Sequence, residues 1–139
     1  MNYKRFNNKI LLRADIGEDI NELILTVAEK ENIKLGSISG IGATNDFTVG
    51  VYDLSANDYK KYNFKGNYEI TSLTGNITAM NGKPYVHTHI TCAGENGSVI
   101  GGHLFSLKIS ITSEIFIDVI DGEISRKPQE NPIFNRMEF

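Results

Sequence analysis

Apolar residues recur with two different periods along the chain. Between residues 20 and 28 they are spaced by three and four positions, which is typical of one buried face of a helix: Ile20, Leu23, Ile24, Val27 and Ala28. Glu18 and Asp19 precede this stripe, and acidic side chains there favour the positive end of a helix. The pattern predicts one helix, which ends near Asn32.

Most of the remaining chain has the pattern of strands. β-Branched and aromatic residues occur in short runs that are separated by Gly, Asn and Asp. Strands are predicted over Lys9–Ala14, Lys34–Gly40, Phe47–Asp53, Tyr68–Met80, Tyr85–Cys92, Val99–Leu107 and Ile111–Ile120. One main helix with about six to seven strands, joined mostly by short turns, predicts an α+β fold with a mainly antiparallel sheet.

The length of the chain fits one domain. It has 139 residues, of which 40% are hydrophobic and 22% charged, as in ordinary globular proteins. We therefore expect a single domain over residues 1–139. The segment 126–139 is predicted to be an extended or irregular C-terminal tail.

The charge pattern does not favour nucleic acid. The chain has 14 basic and 17 acidic residues, a formal net charge of −3, and its Lys and Arg residues are scattered rather than clustered. Its single cysteine, Cys92, excludes an internal disulfide, and the N-terminal residues lack the apolar stretch of a secretory signal. No apolar run is long enough to span a membrane. A cytoplasmic protein is the resulting expectation.

All three histidines lie close together in the sequence. His87 and His89 are two positions apart on a predicted strand, so both imidazoles point to one face. The segment Glu95–Gly97 suits a three-residue hairpin loop, because Gly97 can adopt the left-handed conformation that such a loop requires. Pairing around Asn96 places His103 directly across from His89, on the same face.

Three converging neutral imidazoles are the ligand set of catalytic-type zinc sites, in which a fourth position is left open. Iron, nickel or cobalt would also fit. Gly101 and Gly102, just before His103, would allow close approach of the backbone to a ligand or to a neighbouring chain. A one-residue slip in register would turn His103 to the other face. Three partly exposed strand histidines without a ligand are the alternative interpretation.

Other residues give weaker signals. Glu114 could act as a general base or support a ligand, or it could be a solvated strand residue. Arg13 would need an anionic partner if it were buried. Cys92 could be a nucleophile, but strand alternation turns it away from His87 and His89, which favours a buried inert thiol. The glycine-rich run over residues 36–43 lacks the residues of a phosphate-binding loop and fits close strand packing instead.

Three segments in this order resemble the PPC domain, also called DUF296: GNYEITSLTGNI over residues 66–77, GKPYVHTHI over 82–90 and GENGSVIGGHL over 94–104. Bacterial and archaeal members are often described as PD1-like DNA-binding proteins. The resemblance covers nearly the whole chain and implies a small α+β homotrimer. It also implies histidines grouped near the subunit boundary, where some microbial members hold a divalent metal.

The plant relatives carry an AT-hook, which this chain lacks, and contact protein partners through a Gly-Arg-Phe-Glu-Ile-Leu segment. The matching residues here are Gly66, Asn67, Tyr68, Glu69, Ile70 and Thr71. Asn67 replaces the Arg and Thr71 replaces the Leu of that segment. The segment is thus a candidate partner contact that differs from the plant sequence at two positions, and an ordinary strand start is the alternative.

Three functions follow as hypotheses. The first is a homotrimeric binding module with a divalent metal, zinc above all, on His87, His89 and His103, and an open position for a small anionic or oxygen-bearing ligand. The second is a DNA-binding or transcription-associated protein, as the family description implies. The third is a metal-dependent hydrolase of unknown substrate, in which Glu114 assists a bound water.

Overall fold

The computed structural model describes residues 1–139 and contains one helix and eight strands. Helix α1 spans Ile20–Lys30. The strands are β1 (Asn2–Phe6), β2 (Lys9–Ala14), β3 (Gly36–Asp53), β4 (Asp58–Met80), β5 (Lys83–Gly94), β6 (Val99–Val119), β7 (Ser125–Glu130) and β8 (Ile133–Glu138). The predicted fold class, α+β with a mainly antiparallel sheet, is confirmed.

Four long strands close on one another. β3 pairs with β4 and β6, and β5 pairs with both β4 and β6, so each of the four has two neighbours within the set. β2 continues the sheet beyond the C-terminal half of β6, and β1 pairs with β2. All these pairs are antiparallel; the one parallel contact is between Ala79 of β4 and Ser125 of β7.

Helix α1 covers the inner face of the sheet. Asp19 caps its N-terminus by accepting hydrogen bonds from the amides of Asn21 and Glu22, and its second carboxylate oxygen accepts one from the amide of Leu107 at 2.8 Å. The helix buries Ile20, Ile24, Val27 and Ala28 against the strands, as the three-and-four spacing predicts. Helix α1 is neither long enough nor apolar enough to cross a membrane.

In two places, two consecutive predicted strands form one continuous strand. The segments expected at 34–40 and 47–53 are joined in β3, which crosses its polar middle through irregularities at Gly40/Gly42 and Thr44/Asp46. The segments expected at 99–107 and 111–120 are likewise joined in β6. Strand β4 begins at Asp58, ten residues before the predicted start. Its first part carries mostly exposed polar residues, so the sequence pattern did not mark it as a strand.

Residues 126–139, predicted to be extended or irregular, are extended rather than irregular. Ser125–Glu130 and Ile133–Glu138 pair as an antiparallel hairpin that lies against β4 and β5. Strand β1 was not predicted either. These strands lie at the edges of the sheet and carry mostly exposed residues, so they lack the alternation of apolar and polar positions that marks a half-buried strand.

Candidate metal centre

The β5–β6 hairpin has the register predicted from its turn. Gly97 has a φ of 76°, and its amide donates to the carbonyl of Gly94 at 2.9 Å. Residues equally distant from Asn96 oppose each other, so Ala93 faces Val99 and His89 faces His103. The three histidines therefore project from one side of the hairpin.

Glycines let the strands around His103 approach closely. A Cβ atom at Gly101 would lie 2.5 Å from the carbonyl oxygen of Ile90, and one at Gly102 would lie 2.7 Å from that of Gly50. Any side chain at either position would collide with the neighbouring backbone. The close approach expected for these two glycines is thus present, and it fixes His103 between β5 and β3.

The three imidazoles form one cluster on the outer face. Their ring centroids are 5.2 Å apart for His87 and His89, 5.0 Å for His87 and His103, and 5.5 Å for His89 and His103. One ring nitrogen from each histidine lies within 4.8 Å of the other two. His89 is exposed, whereas His87 and His103 are half-buried. No carboxylate or thiolate belongs to the cluster.

His103 carries a polar atom without a partner. Its Nδ1 is buried and makes no hydrogen bond in this structure. The rings of Tyr59 and Phe105 flank the imidazole, each with a centroid 4.8 Å away. An unpaired buried acceptor or donor costs about 1–3 kcal/mol, so a folded protein rarely retains one without a ligand or a water to satisfy it.

The surroundings keep two of the rings neutral. Burial, together with smaller contributions from the charges of His87, His89 and Lys61, lowers the pKa of His103 to about 4. Burial also lowers the pKa of His87, with smaller contributions from Arg126 and His89. Neutral imidazole is the form that binds a metal.

The donor set fits a divalent ion. Tetrahedral zinc with Zn–N bonds of about 2.0–2.1 Å would hold its nitrogens roughly 3.3 Å apart. The ligand nitrogens lie within 4.8 Å of one another, a separation that modest side-chain rotations can close. A divalent ion would use the convergence of the three imidazole nitrogens, and the unpaired Nδ1 of His103 is compatible with such a site.

Glu114 and Arg13 lie elsewhere on the sheet. They face each other across the β2–β6 pair, and the Arg13 side chain is exposed and forms an ion pair with Asp15 at 2.9 Å. Strands β3 and β4 separate Glu114 from the histidines of β5, a span of about 14 Å at the usual strand spacing. The structure therefore brings together the three predicted histidines and places these two residues apart from them.

The candidate partner segment from Gly66 to Thr71 divides between surface and core. Ile70 is buried and Tyr68 packs its ring edge-on against Phe47, with a centroid distance of 5.1 Å. Asn67, Glu69 and Thr71 are exposed. Of these, Asn67 donates a hydrogen bond to Glu95 at 2.6 Å and Thr71 donates one to the Thr91 carbonyl at 3.0 Å.

Cys92 is not part of the site. It is fully buried on the opposite face of β5, and burial raises the pKa of its thiol to about 12. The prediction that this thiol is buried and turned away from the histidines is confirmed.

Five residues around the cluster were not predicted: Tyr59, Lys61, Tyr85, Phe105 and Arg126. Tyr85 and Phe105 could have been found, because each lies two positions from a histidine and so shares its strand face. Tyr59, Lys61 and Arg126 come from distant segments, and nothing local in the sequence places them beside the histidines.

Comparisons with known proteins identify the family and support the fold. Residues 1–121 match the Plants and Prokaryotes Conserved (PCC) domain. No curated protein matches the sequence. Among solved structures, a candidate DNA-binding protein from Bacteroides thetaiotaomicron is 30% identical with a TM-score of 0.95, covering 99% of this chain and 96% of that one.

Two archaeal structures are similarly close. A metal-containing protein from Archaeoglobus fulgidus is 31% identical with a TM-score of 0.88, covering 100% of this chain and 99% of that one. A plant- and prokaryote-conserved (PPC) protein from Pyrococcus horikoshii is 30% identical with a TM-score of 0.85, covering 99% of this chain and 94% of that one. With its fold and with most of its length matched, the chain belongs to the Plants and Prokaryotes Conserved (PCC) domain family.

Proposed function

We propose that this protein is a binding module whose His87, His89 and His103 hold a divalent metal ion, zinc in preference to iron, nickel or cobalt. The observation that carries the proposal is the convergence of three imidazoles on one face, with the Nδ1 of His103 buried and unpaired. The metal-containing relative from Archaeoglobus fulgidus supports it.

The three histidines leave one coordination position open in a tetrahedral site. A bound ion would supply Lewis acidity there, and the chain supplies neutral donors and the aromatic walls of Tyr59 and Phe105. We assign this position to a small anionic or oxygen-bearing ligand. A hydrolytic role with Glu114 as base ranks lower, because two strands separate that carboxylate from the histidines of β5.

Calorimetric titration with Zn²⁺ tests the metal site. The wild-type protein is expected to bind one ion per chain, and the double substitution His87→Ala with His89→Ala is expected to abolish that binding. Lys83→Ala, an exposed change on the same strand, is the matched control. An unchanged stoichiometry in the folded double variant would refute the proposal.

We further propose a homotrimer in the cytoplasm. Support for assembly comes from a groove between β3, β4 and β6, where Ile41 and Ile111 are 57% and 65% exposed and Glu69 and Thr71 form the border. A sedimentation mass of three times 15.5 kDa is expected. Ile111→Lys should lower that mass to the monomer value if this groove lies in the interface; a trimer that persists would place the interface elsewhere.

DNA binding is the second candidate function. It is favoured by the relatives from Bacteroides thetaiotaomicron and Ralstonia eutropha, both described as candidate DNA-binding proteins. The net charge of −3 opposes it. Fluorescence anisotropy with a labelled DNA duplex discriminates: micromolar binding with a steep salt dependence would support this function, and no binding at physiological salt would exclude it.

A further inference from the structure

Arg126 is a buried cation without an anionic partner. Its exposed fraction is 8%, and no carboxylate lies within 4.0 Å of its guanidinium, which is absent from every ion pair of the protein. Its three hydrogen bonds go to neutral acceptors: Nε to Thr78 Oγ1 at 2.7 Å, Nη1 to the Asn135 carbonyl at 2.7 Å and Nη2 to Asn76 Oδ1 at 2.9 Å. Burying an unpaired charge is costly, so such a residue normally has a counter-ion.

The Arg126 guanidinium still has N–H groups with which it could bind a counter-ion. Arginine carries five N–H groups, of which three are used here, leaving one on each terminal nitrogen. Two N–H groups on neighbouring nitrogens are the donor set that carboxylates and phosphates accept in bidentate contacts. Arg126 is thus held rigidly in place by neutral groups while two donors remain free.

Arg126 lies next to the histidines. The β7–β8 hairpin lays it over the ring of Tyr85, 4.9 Å from the ring centroid, and Tyr85 shares its strand face with His87. The residue that accepts from its Nη2, Asn76, is the cross-strand neighbour of His87. The guanidinium therefore lies beside His87, next to that histidine's strand neighbour Tyr85 and its cross-strand neighbour Asn76.

A second cation flanks the other side of the cluster. Gly50 of β3 pairs with both Lys61 and His103, which brings Lys61 beside the histidines, and the Lys61 ammonium lies 4.1 Å from the centroid of the Phe105 ring. Lys61 likewise takes part in none of the protein's ion pairs. With a divalent ion on the three imidazoles, the ion, Arg126 and Lys61 would together bring four positive charges to the site, and no carboxylate of the chain belongs to the cluster.

We propose that Arg126 is the anion-binding residue of this site: it holds the oxyanion group, carboxylate or phosphate, of a small ligand that also occupies the open metal position. Lys61 adds a second, weaker attraction from the opposite side. The inference rests on the metal site proposed above and adds to it the class of ligand and the residue that selects for it.

The test uses full-length protein loaded with Co²⁺, whose visible absorption reports changes at the open position. Acetate and methyl phosphate serve as the probes, and whichever binds more tightly identifies the oxyanion. Loss of a charge-assisted contact predicts that Arg126→Gln weakens the preferred probe at least about tenfold, with Co²⁺ stoichiometry unchanged. Lys127→Ala, an exposed change one residue away, should leave the affinity within about twofold.

Because Arg126 ties the hairpin to β4, a measurement on the wild type is needed as well. Arg126 is one of four arginines, so its guanidinium signals can be followed by NMR after ¹⁵N-arginine labelling. Addition of the probe should shift the Arg126 signals and leave those of Arg13 and Arg136 in place.

Unmoved Arg126 signals in metal-loaded protein that binds the probe would overturn this inference and leave the metal site standing. An unchanged probe affinity in folded, metal-loaded Arg126→Gln would do the same. Failure of the wild type to bind Co²⁺ or Zn²⁺ would overturn both proposals.

Discussion

The two faces of the β5–β6 hairpin differ in how completely their polar groups are satisfied. On the inner face, Ile90, Cys92 and Leu104 are buried under the helix, and the Thr88 hydroxyl donates to Asn21 Oδ1 at 2.6 Å. On the outer face, one residue away along each strand, the three histidines converge and the Nδ1 of His103 has no partner. The same two strands thus have a packed inner face whose polar groups are hydrogen-bonded and an outer face with a buried polar atom that has no partner.

This difference shows how strand alternation separates stability from binding. Inner residues contribute to the free energy of folding through burial, and their substitution should affect binding only through unfolding. Outer residues contribute donors for a ligand, and their substitution should affect binding with little loss of stability.

The largest effect is expected for the reactivity of Cys92 on the inner face. Its thiol is fully buried and its pKa is raised from 9.0 to about 12, so reaction with a thiol reagent at mildly alkaline pH should be at least about a hundredfold slower in native than in denatured protein. Spectrophotometric thiol titration measures both rates. Equal rates would show that the inner face is open to solvent.

Replacing Ile90 should cost the most stability. Ile90→Ala removes a side chain that is 2% exposed, and core truncations of this kind lower the free energy of unfolding by about 2–5 kcal/mol. Its neighbour His89, exposed on the other face, is the matched control: His89→Ala should cost less than about 1 kcal/mol.

Urea unfolding in the presence of a chelator measures both variants. A similar loss of stability in the two would contradict the separation of the faces.

His103→Leu should have a smaller effect of opposite sign. The substitution removes the buried, unpaired Nδ1 while retaining an apolar side chain between Tyr59 and Phe105, so the metal-free protein should gain about 1 kcal/mol of stability. Thermal unfolding with chelator measures this gain, and addition of Zn²⁺ should raise the melting temperature of the wild type only. If Zn²⁺ also stabilised the variant, His103 would not be a metal ligand.

Glu114→Gln should change almost nothing. The carboxylate is exposed, and two strands separate it from the histidines of β5, so Zn²⁺ affinity is expected to stay within about twofold and stability within about 0.5 kcal/mol. Calorimetry and urea unfolding provide these values. A tenfold loss of Zn²⁺ affinity would assign Glu114 a role in the site that its position in the sheet does not explain.

The histidine cluster could be predicted from the sequence because it depends on local geometry. A loop at Glu95–Gly97 fixes the register of two strands, and alternation then fixes which side chains share a face. The helix followed from apolar spacing for the same reason. Both inferences use residues that are close in the chain.

The remainder of the site depends on contacts between distant segments. Arg126 lies near His87 only because the C-terminal residues form a hairpin that packs on β4 and β5. The sequence of β7, SRKPQE, is polar and contains proline. Lys61 reaches His103 only because β4 begins at Asp58 and β3 runs unbroken through its irregularities. No periodicity marks these segments, so their pairing could not be read from the sequence.

The central claim is that three imidazoles hold one ion. Crystals grown with Zn²⁺ and measured at the zinc absorption edge would test it most directly. One anomalous peak is expected about 2.0–2.1 Å from a ring nitrogen of each of His87, His89 and His103, with a fourth position open to solvent or an anion. A zinc peak bound elsewhere, or three rings without a shared peak, would contradict the claim.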